Sequence, residues 1–520
     1  MSQEQQLLKN NVNLNNRTQE TSQVLLEGDY IIPDSKPDIY RILQHSQDIG
    51  LTKIEPALGR LSFSGRLSIS VLYTAKSEDK EVTGLSFSVG IDDFMNIEGV
   101  SPESWVWLNP TIAHTEYRII NDRKIGYRAI VDIDANIVSH KPMEVITGID
   151  GLPMSQQKVK NISLNQHIGN KRDEFAIQED VTIPGSLPPI QEILHTGMTL
   201  ANKSITAQSQ RVHVSGDLRL AVLYRAEGSH LLELFEHEVP FSGAIDMQDA
   251  QEGQFAEGGL FITEKALALK EDEHNIGRGL ELSVTVLADI RLSSTTELRA
   301  LKDAYCIDKR LTIENEPFDY FEQVARNKSQ FNLKENVKLE GPPALQILST
   351  RASMLIEDRR VVDDKVVVEG VIMADILYIA QSDDEPIFNH SAIVPFRQVM
   401  EAKGARAGME ADIGHSLDHV GASLLSGNDA ELRFSVNFSA LVLQRRNVGL
   451  ISNIEFSPYA QEELDDMPAM VLVTIGEQDS LWSIAKKYNA PLEELATINE
   501  LDLEGDVPAG QKILVVKSKA

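Results

Sequence analysis

One pattern is written three times along this chain. The first copy reads VLLEGDYIIPDSKPDIYRIL from Val24 and resumes as SGRLSISVLY, ending at Tyr73. The second reads FAIQEDVTIPGSLPPIQEIL and VSGDLRLAVLY; the third reads FNLKENVKLEGPPALQIL and VEGVIMADILY. Four landmarks keep step: Pro37, Pro188 and Pro342; the pairs Ile42-Leu43, Ile193-Leu194 and Ile347-Leu348; Gly65, Gly216 and Gly370; Tyr73, Tyr224 and Tyr378. Each shifts by 151 and then by 154 positions. A repeat this long is too large for a thin solenoid, so each copy reads as a domain or most of one.

Within a copy, the pattern points to strands. From Arg60 to Tyr73 the apolar residues Leu61, Phe63, Leu67, Ile69, Val71 and Tyr73 follow period two, broken at Gly65. That is a half-buried strand with a bulge or close backbone approach at the glycine. A first strand is expected near residues 24–32, ending at Pro33. After the PDSKP turn, Pro37 is placed to open a short helix over Asp38–Gln44. Further alternation over 82–91 and 125–137, with turn signals between, predicts short strands in an antiparallel sandwich or open barrel. Repeat one is assigned to 24–150, repeat two to 155–310 and repeat three to 320–458. Each closes on a similar tail: EVITGID, ALKDAYCID and GLISNIEFSPYA. Tandem modules of this kind are expected to form a passive rod. Residues 1–23, rich in Gln and Asn, read as a flexible arm or a lone polar helix. The acidic stretch 459–470 reads as a linker.

Composition narrows the classes of function. A length of 520 residues is that of three or four domains. A net charge of −29 argues against a nucleic-acid surface and against adsorption to anionic lipid. It serves solubility, or a partner that carries a basic patch. No apolar run reaches the roughly 18–20 residues of a membrane helix. The N-terminus MSQEQQLLKNNVNLNN shows no Sec-type signal. A single cysteine, Cys306, excludes an internal disulfide framework and suits a reducing compartment.

The last fifty residues change character. VLVTIGEQDSLWSIAKKYNAPLEELATINELDLEGDVPAGQKILVV divides into a strand, two short amphipathic helices and a strand. Ser480 is placed to cap a helix whose apolar positions are Leu481, Ile484, Ala485 and Tyr488. Pro491 opens a second helix bearing Leu492, Leu495, Ala496 and Ile498. The QDSLWSIAKKY block, Asn499 after the second helix and the VPAGQKILVV ending give residues 471–517 a close resemblance to a LysM module. That family usually has Gly where Gln478 stands. With this module in view, YIIPDSKPDIYRIL and SGRLSISVLY resemble the SPOCS domain of endospore-forming bacteria. Three such copies ahead of one LysM resemble the SpoIVA-interacting spore morphogenesis proteins, and more distantly the SpoVID-type coat encasement proteins.

The resemblance implies a mainly β chain: three tandem antiparallel SPOCS sandwiches or barrels and a small βααβ LysM domain. It implies a non-enzymatic adaptor in endospore coat assembly, made in the mother-cell cytoplasm and placed at the forespore surface. Its LysM domain would bind the SpoIVA-like scaffold ATPase of the coat basement layer, and other coat proteins are further candidates. The loops bordering the groove in that family fall here on Asp479, Ser480, Leu481 and Trp482, and on Asn499, Glu500 and Leu501. Capping by Ser480, packing by Leu481 and helix closure by Asn499 account equally well for those three. Trp482 suits either core or partner surface, aromatic residues being frequent at interface hot spots. The alternative function is a protein that binds peptidoglycan, an N-acetylglucosamine polymer.

No reaction centre emerges from the sequence. There is no P-loop, GxGxxG, HExxH or GxSxG motif, and no cofactor or metal is expected. His415 and His419 would share a metal only on a helix; in a strand they stand about 13 Å apart at ~3.3 Å per residue. Cys306 reads as a small buried hydrophobe. The PDSKPD segment is either a recognition loop or turn chemistry. A wall-active enzyme targeted by LysM would need a constellation that the sequence does not supply.

Overall fold

The computed structural model describes residues 6–78, 80–228, 232–270, 277–382, 386–460, 469–503 and 507–516. The first repeat contributes β1 (Gln6–Ile31), β2 (Ile39–Ala57), β3 (Arg60–Ala75), β4 (Val82–Asn96), β5 (Trp105–Asn121) and β6 (Lys124–Asp150). The second contributes β7 (Ser155–Thr182), β8 (Ile190–Gln208), β9 (Arg211–Ala226), β10 (Leu232–Asp246), β11 (Phe255–Leu269) and β12 (Gly279–Cys306). The third contributes β13 (Lys309–Lys338), β14 (Ala344–Val362), β15 (Lys365–Ala380), β16 (Ile387–Glu401), β17 (Glu410–Ser426) and β18 (Asp429–Pro458). In every repeat two antiparallel three-stranded sheets face each other. In the first their orders are β2-β3-β4 and β1-β6-β5, and the other two repeats follow suit. The fold is mainly β, as expected.

The repeated landmarks have structural reasons. Tyr73, Tyr224 and Tyr378 are fully buried. The first two donate from the phenol to the carbonyls of Pro37 and Pro188 at 2.8 and 2.9 Å, and Tyr378 donates to Glu340 at 3.4 Å. The central strand is thereby tied to the turn that precedes its neighbour. Each landmark glycine faces a bulge in that neighbour. A Cβ on Gly65, Gly216 or Gly370 would lie 2.1, 2.8 or 2.2 Å from the carbonyl oxygen of Gly50, Ala201 or Leu355. Only glycine lets the two backbones approach so closely.

Four expectations need correction. Asp38–Gln44 is not helical: a turn closed by Lys36 N donating to Pro33 O leads straight into β2. The helix-like spacing of Ile39, Ile42 and Leu43 comes from two irregularities of register, at Ile39/Arg41 and Ile42/Gln44. The same pair recurs in β8 and β14. An extra residue at each bulge moves the next apolar side chain out of period two. Residues 6–23 are neither arm nor helix, since β1 pairs antiparallel with β6 from Gln6↔Asp150 to Ile31↔Lys124. The ladder's hydrogen bonds are indifferent to the polar side chains it carries. The strands are also long rather than short. β6 spans 27 residues, roughly 90 Å at ~3.3 Å each. Its first half belongs to its own sandwich, through Ile125, Val131, Ile133 and Ile137; its far end enters clusters shared with the other repeats. The expected linker lies mostly outside the described residues, at 461–468.

Nor do the repeats form a rod. They close on one another in a ring: β4 packs on β8, β10 on β14, and β16 back on β2. At the centre, equivalent residues from all three meet in one apolar layer: Leu43, Leu194 and Leu348; Leu72, Leu223 and Leu377; Val82, Leu232 and Ile387. Gly84 marks how tightly the ring is drawn, because a Cβ there would sit 1.7 Å from the carbonyl oxygen of Leu194. The long strands make a second shared layer, including Val12, Val145, Leu298 and Phe318. Near it the third set of ends gathers Ile149, Leu301, Cys306 and Ile454. The apolar tails at the end of each copy exist to fill these shared layers, so burial there depends on all three repeats being present.

Candidate functional site

The C-terminal module is built from β19 (Met470–Thr474), α1 (Leu481–Lys487), α2 (Leu492–Ile498) and β20 (Lys512–Val516). β19 and β20 pair antiparallel, and the helices lie between them in sequence. Its core gathers Ile475, Leu481, Ile484, Leu495 and Ile513. One further member of that core, Tyr305, comes from the end of β12 in the second repeat.

That tyrosine begins a seam between module and body. Its phenol donates to the carbonyl of Ala490 at 2.8 Å, and its ring meets that of Trp482 edge-on with centroids 5.1 Å apart. Burial pushes the phenol well above the ordinary tyrosine range. Two residues upstream, Asp303 accepts from the Trp482 indole N–H at 2.8 Å and from the Lys486 ammonium at 2.5 Å. Burial alone would raise this carboxyl. The bonds from Lys486 and Trp482, the lysine charge and the Ala304 N–H outweigh it and hold Asp303 below its usual range. The Lys158 ammonium stands 5.8 Å from the Trp482 ring. Asn489 donates to the phenol of Tyr459 at 2.9 Å. The indole edge and one face of α1 are therefore engaged within the chain.

The other expected loop residues divide between scaffold and surface. Ser480 caps α1: its hydroxyl accepts from Ser483 N at 3.1 Å, while the Ser483 hydroxyl accepts from Ser480 N at 2.9 Å. This is a reciprocal capping box. Asp479 accepts from Gly476 N at 2.9 Å and pins the turn before the helix. Leu481 is buried in the module's core. Asn499 donates to the carbonyls of Leu495 and Leu514 and accepts from Leu514 N at 2.7 Å, clamping the end of α2 to β20. Leu501 packs against the core, and its N–H donates to the carbonyl of Ala496. Glu500 is exposed at φ +54°, the left-handed position that follows the helix. The two loops thus lie on one small scaffold, with Glu477, Gln478, Asp479, Glu500 and Asp502 exposed along them. Ile498 and Leu503 are exposed beside the second loop. The seam itself was not legible: nothing local marks Asp303 or Tyr305 as partners of residues about 180 positions away.

The SPOCS domain family, described as "SipL, SPOCS domain", matches at residues 38–120, 189–264 and 343–425, and the LysM domain family matches at 473–516. The chain belongs to the SPOCS–LysM proteins. Each SPOCS match covers the middle strands of its repeat, such as β2 to β5, and leaves the long outer strands β1 and β6 outside. No curated protein and no solved structure matches the chain. SPOCS domains make this a sporulation-related protein associated with the spore surface, and LysM gives it a module of the peptidoglycan-binding class. Both are non-catalytic binding domains. Among the described residues no three His, Cys, Asp or Glu side chains come together as a metal-holding group, and no helix is long and apolar enough to cross a membrane. His415 and His419 lie on β17 in extended chain, the arrangement that sets them too far apart to share one ion. Cys306 is buried, donates to Asp308 at 2.7 Å and is pushed up to about 11, first by burial and then by that carboxylate.

Proposed function

We propose that this SPOCS–LysM protein is a non-enzymatic adaptor of endospore coat assembly, working in the mother-cell cytoplasm at the forespore surface. Its LysM module binds a protein, the SpoIVA-like scaffold ATPase of the coat basement layer, and the SPOCS body holds that partner in place. The observation that carries the reading is the seam at Asp303 and Tyr305. A module fixed against its body transmits a defined orientation, which suits a structural joint. The exposed rim of Glu477, Asp479, Glu500 and Asp502, beside apolar Ile498 and Leu503, suits a protein face carrying basic and apolar groups.

The test is capture of the purified scaffold ATPase by the full chain and by an E477K/E500K variant. Both positions are exposed, so folding is kept. The reading expects capture by the native chain and at least ~10-fold weaker capture by the variant at low salt. Equal capture by both removes the acidic rim from the interface. The second reading, peptidoglycan binding, rests on the LysM match itself. It expects the chain to sediment with purified wall polymer and to ignore the ATPase.

A further inference from the structure

Between the two shared apolar layers the ring is not filled. Along β8 the leucine layer at Leu194 precedes Lys203 and Ile205, and along β12 Arg291 precedes Leu298 and Ala300 of the second layer. Lys203, Ile205 and Arg291 line a cavity of about 830 Å³ whose walls come from all three repeats. Asn136, Arg291 and Leu441 each stand twelve residues into β6, β12 and β18, and all three line it, so the cavity straddles the axis that relates the repeats. This volume falls in the range of small-molecule sites, which form preferentially where domains meet.

The lining is asymmetric and its charge is unbalanced. Four carboxylates line it, Glu20, Asp134, Glu257 and Asp412; Asp134 accepts from Thr21, and the last two are already taken by arginines. Glu257 holds Arg291 at 2.7 Å and also Arg326, while Asp412 holds Arg17 and stands 4.0 Å from Arg291. Lys203, Lys328 and Arg359 also line the cavity, and no carboxylate pairs with them among the described residues. Lys203 is aimed by the irregularity at Ala201/Ser204, where Asn202 takes φ +51°. The Asp418 charge acts on Lys203 without an ion pair, its carboxylate oxygens accepting instead from Ser416, Asn437 and the Asn202 N–H. His415 lines the same wall. Burial lowers the Lys203 ammonium below its usual range, and burial together with the Lys203 charge takes His415 down to about 4. Both side chains keep open surface although they lie deep in the molecule, so that surface faces the cavity. The walls from the second and third repeats thus present three cations outside any ion pair among the described residues, while the remaining acids of the lining, Glu20 and Asp134, stand on the first repeat's wall.

We propose that the axial cavity is a binding site for a small multivalent oxyanion, a phosphate ester or a polycarboxylate, held by Lys203, Lys328 and Arg359. The ring itself supplies an entrance. β11 packs on β2 and β17 on β8, while β5 has no comparable packing on β14. Trp107 and Asn109 of β5 and Arg359 of β14 line the cavity from the two sides of that joint. An anion seated inside would bridge the second repeat, through Lys203, to the third, through Lys328 and Arg359.

The experiment is calorimetric titration of the full chain with sodium pyrophosphate and, separately, with citrate at constant ionic strength. Saturable binding near one per chain is expected with at least one probe; the preferred probe tells phosphate from carboxylate chemistry. A K203Q/K328Q variant should bind about 10-fold or more weakly, and R359Q, altered at an exposed position, should also weaken binding. The proposal fails if neither probe saturates at millimolar concentration. It fails equally if the double variant, melting as the native chain does, or R359Q binds both probes with unchanged affinity.

Discussion

The axis of the ring has two unlike stretches. At the leucine layer three copies of one sequence still say nearly the same thing: Leu, Leu, Leu; Leu, Leu, Leu; Val, Leu, Ile. A few rungs along, equivalent positions say different things: Asn136, Arg291 and Leu441, then Val138, Ser293 and Leu443. Where packing alone closes the ring, one apolar solution serves all three repeats, because the threefold arrangement presents each with the same hole. Where the ring opens into a cavity, nothing forces the copies to agree, and each has become a separate wall. Symmetry was kept where it stabilises and lost where a site could be built.

The contrast is best broken at its tightest point. Gly84→Ala places a carbon 1.7 Å from the Leu194 carbonyl and must separate the first two repeats. A loss of about 4 kcal/mol or more in urea unfolding is expected, with looser association of the repeats by hydrogen exchange. Leu377→Ala, at a fully buried position of the leucine layer, should lose about 2–5 kcal/mol through transfer and cavity. Transplanting a residue between copies separates the two stretches directly. Arg291→Leu, which installs the third repeat's residue in the second, should cost about 3 kcal/mol by leaving Glu257 and Asp412 short of a partner. Ile387→Val, the same exercise at the leucine layer using the first repeat's residue, should cost only about 1 kcal/mol. If the two transplants cost the same, the division of the axis into a symmetric seal and a specialised cavity is wrong.

The LysM seam gives a third and weaker kind of joint, polar and aromatic rather than apolar. Trp482→Phe keeps the ring but removes the donor to Asp303, and should loosen docking by about 1–2 kcal/mol. Its measure is faster exchange of α1 amides without unfolding of the body. The pH dependence follows from Asp303. Its folded-state carboxyl lies below the ordinary value, so its contribution is complete above about pH 4 and is lost as pH falls through the lowered value. The module should therefore stay docked at neutral pH and release only in stronger acid, seen as increased Trp482 fluorescence mobility.

Much of this was legible in the chain. The threefold repeat, the strand through Gly65 to Tyr73, the close approach at that glycine and the βααβ module all follow from local pattern. The helix expected at Asp38–Gln44 shows the limit of such patterns, since two bulges in a strand reproduce helical spacing. β1 was missed because Asn and Gln carry no strand signal, whereas its pairing with β6 is made by backbone. The closed ring was missed for a different reason. Leu43, Leu194 and Leu348 each look like ordinary core residues of their own domain, and only the assembled structure shows them touching one another. The same holds for Trp482, whose partner Asp303 sits in the unremarkable stretch ALKDAYCID.

Ring closure has a consequence for how the chain reaches this state. The joint of β16 with β2 brings together residues some 340 positions apart, and the shared layers are not closed until all three copies contribute. Until the third copy emerges from the ribosome, the first two must wait with leucines exposed on their inner edges. Folding should accordingly be slow and all-at-once in its last step, with a window in which partly made chains are open to mispairing with each other.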